Sequence, residues 1–189
     1  MDCDPNEGLD GIRKLVRAHE RWGVRAAAFF PHGVSPQVAI DAPQAYPFYA
    51  KCVELGIPIF VTAGIAGPRV PSMVQHVNRI DQVMYDFPEL VFVMRHGAEP
   101  WVDLAVKLML KWPGLHSSTT GFAPRRYPSA IIDYANTRGA EKVLYGGYFP
   151  MGLSLERIMR EMEDLPLKDE VRSMFLRHTA ARVLGLETG

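Results

Sequence analysis

The chain has 189 residues, 48% of them hydrophobic and 22% charged, which is typical of a soluble globular protein and is enough to bury one core. Its 21 basic residues balance its 21 acidic ones, so no net field attracts it to nucleic acid or to an anionic membrane. Two cysteines, Cys3 and Cys52, are too few for a disulfide framework, and the sequence has no signal-peptide pattern and no run of about 20 apolar residues. These features predict a cytoplasmic protein with neither a nucleic-acid nor a membrane partner.

The chain alternates between helix-period and strand-period segments. Residues 8–22 carry apolar side chains on one helical face and are followed by Gly23, as in an amphipathic helix with a glycine cap. The wholly apolar run 24–30 indicates a strand that is buried on both faces. Repetition of this pattern predicts helices at 42–55, 72–85, 99–112, 129–137, 154–164 and 168–184, and strands at 57–61, 90–94, 115–120 and 142–145.

Strands that alternate with helices at this spacing predict βαβ units and a parallel sheet, either doubly wound or closed into a barrel. Neither a Gly-x-Gly-x-x-Gly loop nor a Gly-Lys-Ser/Thr loop follows a strand, which disfavours a nucleotide-binding form. Polar side chains instead follow the predicted strands, and a barrel would gather them on the one rim that carries its chemistry. These side chains are His32, Thr62, His96, Thr120 and Tyr148.

A family resemblance rests on four stretches. They are LGIPIFVTAG at 55–64, FPELVFVMRHG at 87–97 with Pro100 and Trp101, YANTRGAEKVLYGGYFPM at 134–151, and AARVLGL at 180–186. Through them the chain from about Gly23 onward resembles the amidohydrolase-related family that includes aminocarboxymuconate semialdehyde decarboxylase and 2,3-dihydroxybenzoate-type decarboxylases. The resemblance implies an α/β fold, a partial (β/α)8 TIM barrel made of about the last five βα units, in one domain over residues 1–189.

The resemblance also implies which residues would act. His96 matches the family's general acid/base on the sixth strand, whereas Thr62 and Tyr148 stand where the family places a metal-binding His and Asp. The first three strands, with a metal-binding His-x-His, are expected to be absent. Because zinc needs three or four N, S or O donors, we expect no metal and no other cofactor on this chain alone, and a divalent ion such as zinc only where a partner supplies ligands.

Each candidate catalytic residue, namely His96, Arg95 and Tyr148, also has a structural interpretation. An imidazole at a strand end can move protons near neutral pH, or it can be held by a neighbouring loop. Arg95 could clamp a substrate carboxylate or form an ion pair with an acid such as Glu99. Tyr148 could donate a proton or bind an anion, or it could fill the space of the family's metal. His32 could approach His96 across the rim, although two histidines are too few donors for a metal site.

A barrel without all its strands has unpaired apolar edges and an open inner face. Side chains expected to line that opening include Phe29, Phe60, Val61, Phe92 and Met94. We therefore predict an oligomer, in which either a second copy or a different chain completes the barrel.

Two functions are compatible with these features. One is an accessory or structural subunit that has no complete metal site of its own, as the residues at 62 and 148 indicate. The other is a hydrolase or decarboxylase that acts on a small carboxylate or a cyclic substrate. In this second function His96 is the general acid/base, and Arg95 or Tyr148 holds the carboxylate.

Overall fold

Six parallel strands form one sheet in the computed structural model, which describes residues 1–65 and 67–186. The strands are β1 (Asp2–Cys3), β2 (Ala27–Phe29), β3 (Ile59–Thr62), β4 (Phe92–Arg95), β5 (Leu115–Ser118) and β6 (Val143–Leu144). Neighbours in the sheet are also neighbours in the chain, and a helix joins each pair. A doubly wound sheet reverses its strand order at a switch point, whereas a barrel does not. The topology is therefore that of a partial (β/α)8 barrel, as predicted.

The helices that join the strands lie close to the predicted segments. The first, α1 (Gly8–Trp22), has the predicted bounds and ends because Gly23 adopts a left-handed φ of 63°, from which its N–H reaches the last helical carbonyls. The other α-helices of the described residues are α2 (Tyr46–Leu55), α3 (Arg79–Asp86), α4 (Val102–Lys111), α5 (Ser129–Ala135), α6 (Leu155–Glu163), α7 (Asp169–Ser173) and α8 (Thr179–Val183), with a π-helical turn at Met174–His178. None of these helices has the length and apolar character needed to cross a membrane.

Two sequence predictions are wrong in detail. The sheet has a sixth strand, β1, which pairs in register with β2, so the described residues hold six strands rather than five. A two-residue strand is too short to show the period of two that identifies strands in a sequence. The helix predicted at 72–85 is divided, with a 3-10 turn at Met73–Gln75 before α3.

The two faces of the sheet carry separate clusters of apolar side chains, because alternate residues of a strand point to opposite faces. The outer cluster packs beneath α1 to α5 and holds four of the five side chains that were expected to line the open inner face. These four are at most 2% exposed, and for them the expectation is wrong: Phe29, Val61, Phe92 and Met94. Of the five, only Phe60 belongs to the inner cluster.

The inner cluster is covered by the C-terminal helix of the same chain. Val183 of α8 packs against the buried Val93 and Leu144, and Phe60 and Ala180 lie half-buried beside them. The register of β3 and β4 places Phe60 next to Val93. Part of the inner face is thus covered by α8, while the predicted oligomer stays a prediction.

Candidate active site

A small cavity lies among the loops that follow the strands. Its volume is about 200 Å³, below the roughly 300–1,000 Å³ that is typical of pockets for drug-sized ligands. Four residues predicted at strand ends line it, namely His32, Thr62, His96 and Tyr148, whereas Thr120 does not. Its other described lining residues are Phe30, Ile65, Gly67, Pro68, Gly121 and Phe122. The rim predicted from the sequence therefore gathers most of its polar residues around a space that suits a small molecule.

Arg95 supplies a cation at the edge of this cavity. It ends β4 and donates from Nη2 to Thr62 Oγ1 at 3.3 Å, and its guanidinium carbon lies 5.8 Å from the centre of the Phe30 ring. Its Nε is buried without a hydrogen-bond partner, and burial lowers the pKa of the guanidinium. Within the described part of the chain Arg95 forms no ion pair, so the ion pair expected with Glu99 is wrong. The charge of Asp2 offsets part of this pKa shift without forming an ion pair, so the half-buried guanidinium keeps a positive charge that an anionic ligand can approach.

His96 follows Arg95 and faces the same cavity. Thr62 Oγ1 lies 3.4 Å from His96 Nδ1 and also accepts the Arg95 bond, so one hydroxyl connects the two side chains. A threonine hydroxyl both donates and accepts, and it can therefore serve the neutral or the protonated imidazole. Burial, followed by the charges of Arg95 and His32, lowers the pKa of His96 to about 4. Without a ligand the ring is neutral near pH 7.

The backbone around His96 is held in an uncommon conformation. His96 and Ala98 have φ values of 65° and 59°, in the left-handed region that non-glycine residues rarely enter. Gly121 leaves space for the ring, because a Cβ added there would lie 2.7 Å from His96 Cδ2. Such local strain costs on the order of 1–3 kcal/mol and clusters at functional sites. The observation agrees with a functional assignment for this loop.

His32 is the second imidazole of the cavity. It is only 7% exposed, and its Nδ1 lies 2.6 Å from Oε1 of the fully buried Gln75. Gln75 in turn donates from Nε2 to the carbonyl of Gly64 at 2.7 Å. The Nε2 atom of His32 is buried and has no hydrogen-bond partner. The sequence placed His32 on the rim but gave no sign of Gln75, which lies 43 residues away along the chain and inside a segment predicted to be one helix.

Tyr148 lies at the mouth of the cavity and is 36% exposed. It follows β6 in a loop whose next apolar residues, Phe149 and Met151, are more exposed still. The structure brings Tyr148 to the same space as His96, as the sequence predicted, and its proposed hydroxyl chemistry stays a prediction.

The side chains at this cavity do not fit a divalent metal by themselves. The described residues contain no group of three or more His, Cys, Asp or Glu side chains that could hold a metal ion. At the cavity two imidazoles stand beside hydroxyls, and the nearby guanidinium of Arg95 would repel a dication. Zinc sites are instead built from three or four N, S or O donors of His, Cys or carboxylate. No chemical step is assigned to a metal on these residues.

The loop that orders His32 depends on a glycine. Gly64 has a φ of 104°, and a Cβ added to it would lie 2.7 Å from the carbonyl oxygen of Glu99. We expect Gly64→Ala to lower the free energy of unfolding by about 1–3 kcal/mol, measured by urea denaturation. Gly67→Ala is the matched control in the same loop, because an added Cβ there meets nothing within 4 Å. Equal effects of the two substitutions would contradict the close approach at Gly64.

Two buried histidines should make stability depend on pH. Burial lowers the pKa of both His96 and His116 to about 4, whereas an unfolded histidine titrates near ~6.5. Between these values the unfolded chain binds more protons than the folded one. The free energy of unfolding is therefore highest above about pH 6.5 and falls as the pH drops toward 4. Urea midpoints at pH 7.5 and pH 5 should show this loss, and His96→Gln should reduce it. A midpoint that is constant or rises on acidification would refute the expectation.

The fold and the rim site together define a partial (β/α)8 barrel with its site at the carboxyl ends of the strands. A family model described as amidohydrolase matches residues 2–186. The chain therefore belongs to the amidohydrolase family, which confirms the resemblance. No curated protein matches the chain.

Solved structures with the same fold include several larger barrels. An uncharacterized TIM-barrel protein from Bordetella bronchiseptica is 25% identical, with a TM-score of 0.82 over 97% of this chain and 65% of its own. 2,6-Dihydroxybenzoate decarboxylase from Rhizobium is 15% identical, with a TM-score of 0.73 over 97% of this chain and 69% of its own. 4-Oxalomesaconate hydratase from Rhodopseudomonas palustris is 19% identical, with a TM-score of 0.68 over 93% of this chain and 60% of its own. The chain thus spans about two thirds of the length of the structures that it matches.

Proposed function

We propose that this chain carries the acid–base site of a hydrolase or carbon–carbon lyase that acts on a small carboxylate. The observation that carries the proposal is the half-buried guanidinium of Arg95, which forms no ion pair with any described residue and is joined through Thr62 to His96 beside the cavity. Decarboxylase and hydratase names among the structural neighbours agree with chemistry of this general kind.

In this proposal each residue has a task. A carboxylate that enters the cavity lies near Arg95, offsets its charge and adds a negative charge close to His96. Because a nearby anion favours the protonated imidazole, the pKa of His96 rises on binding and the ring becomes a proton donor. In a decarboxylation the carbon–carboxyl bond breaks, its electron pair stays on carbon as CO2 leaves, and His96 delivers the proton that makes the new C–H bond. Tyr148 at the mouth supplies a hydroxyl for a second oxygen of the substrate.

Calorimetry tests this proposal directly. Benzoate and 2,6-dihydroxybenzoate are titrated into the protein at pH 6 in two buffers of different ionisation enthalpy. The expected result is binding coupled to net proton uptake, with uptake lost and binding retained in His96→Gln. No binding of either carboxylate, or binding without proton uptake, would overturn the proposal.

An accessory role is a second candidate, favoured by a different observation. Thr62 and Tyr148 line the cavity at the positions where the family resemblance implies metal ligands, so a metal would need donors from elsewhere. Native mass spectrometry of the untagged protein from its own host reports partners and metal together. A heteromer without metal would support the accessory role. A heteromer that carries zinc or another divalent ion would mean that a partner completes the barrel and would favour the enzyme, and a metal-free homo-oligomer would contradict a role as a subunit of another enzyme.

A further inference from the structure

We infer that His32 is the general base of this cavity and that Gln75 is the positioning residue that fixes its tautomer. The inference rests on the proposed function and adds to it the residue that removes a proton. It depends on the chain of hydrogen bonds from Gly64 through Gln75 to His32.

The direction of that chain is set at Gly64. A backbone carbonyl only accepts hydrogen bonds, so the atom of Gln75 that lies 2.7 Å from the Gly64 oxygen must be the amide nitrogen. The other end of the same amide is then an oxygen, which also only accepts, at 2.6 Å from His32 Nδ1. His32 therefore carries its hydrogen on Nδ1. In the neutral ring the lone pair is on Nε2.

The free lone pair belongs to a buried atom at the cavity. His32 is 7% exposed and lines the cavity, yet its Nε2 has no partner among the described residues. Leaving a buried acceptor unpaired costs about 1–3 kcal/mol, and such exceptions often mark a catalytic role or a bound ligand. The ring itself is fixed, because Phe30 packs edge-on against it with 4.1 Å between ring centres. A fixed imidazole with an accepting nitrogen toward the cavity is the arrangement of a general base.

The same Phe30 ring lies 6.0 Å from the ring of His96, so the two imidazoles share one wall. A base beside an acid suits addition of water to a substrate. His32 Nε2 takes a proton from water as the water oxygen bonds to carbon. In a hydrolysis the bond from that carbon to the leaving atom breaks and its electron pair goes to the leaving atom, whereas in a hydration the π pair of the double bond goes to the neighbouring carbon. In both, His96 protonates the atom that receives the pair. Decarboxylation needs only the acid, so the inference favours a hydrolase or hydratase over a decarboxylase.

The test is ¹⁵N NMR of the histidine side chains in the full chain, with benzoate as the probe. Wild-type His32 should show a protonated Nδ1 and an unprotonated Nε2 before any ligand is added, and the Nε2 signal should shift when benzoate binds. Gln75→Leu should convert His32 to a mixture of tautomers. Gln75→Glu keeps an oxygen that accepts from Nδ1 and should restore the single Nδ1–H tautomer. Gln82→Leu is the matched control, because Gln82 bonds only the exposed Asp86 of its own helix.

The outcomes separate this inference from the proposed function. The role of His32 would be overturned by an Nε2–H tautomer in the wild type. It would also be overturned if the His32 signal changed neither with benzoate nor in the Gln75 variants, even when benzoate binds with proton uptake at His96. Conversely, a protein that shows the Nδ1–H tautomer but binds no carboxylate would leave the hydrogen-bond chain correct and the proposed function wrong.

Discussion

Replacing Arg95 with Met is expected to raise the free energy of unfolding and to weaken carboxylate binding strongly. The Arg95 side chain is half-buried, its buried Nε has no hydrogen-bond partner, and it forms no ion pair with any described residue, although the charge of Asp2 acts on it. Replacing a buried ion pair with apolar residues is often neutral or stabilising, by about 1–4 kcal/mol, and replacing a half-buried cation that has no ion pair should act in the same direction. Truncating one member of a desolvated charge pair costs about 2–5 kcal/mol of binding, so affinity for benzoate should fall at least ~30-fold. Urea denaturation and calorimetry measure the two effects.

A variant that gains stability and loses affinity for benzoate would identify Arg95 as a ligand-binding residue. If Arg95 were purely structural, its replacement would lower the stability of the protein and leave benzoate binding intact. That result would contradict the proposal. Arg126→Met is the matched control, since Arg126 is an exposed arginine in the loop after β5. The Arg95 variant should also raise the pKa of His96, because the Arg95 charge helps to lower it.

The fold could be predicted where its signals are local. Hydrophobic period and the cap at Gly23 gave α1 its observed bounds, and the apolar runs located five of the six strands. β1 was not predicted, because two residues are too few to show a period. They form a strand through their pairing with β2, which lies more than 20 positions away in the chain. Assignment of strand residues to faces failed for a similar reason. A fully apolar run such as 57–61 does not show which of its alternate side chains face the helices.

The candidate site could be predicted in part. Strand ends of a barrel meet on one rim, so His32, Thr62, His96 and Tyr148 were placed together correctly from chain order alone. The partner of Arg95 was predicted wrongly. The turn after β4 leaves Glu99 exposed, whereas Arg95 donates to Thr62. Gln75 has no sequence signal at all. Its role exists only because a 3-10 turn between β3 and α3 carries its amide to Gly64 and His32.

Phe92→Ala is expected to be strongly destabilising, and Phe60→Ala much less so. Phe92 is fully buried in the outer cluster, with the Tyr49 ring 6.2 Å away. Removing it should lower the free energy of unfolding by about 3–5 kcal/mol.

Phe60 is the same residue type on the neighbouring strand, but it is half-buried in the inner cluster against α8. Its loss should cost clearly less, about 1–2 kcal/mol, since a partly exposed ring buries less apolar surface. Urea denaturation of both variants gives the two values under the same conditions. Because the faces differ only by strand alternation, this order of effects shows that the fold is held by the sheet–helix layer. The reverse order would mean that the inner face carries the stability, as it would in an assembly where another polypeptide packs against Phe60 and completes the barrel.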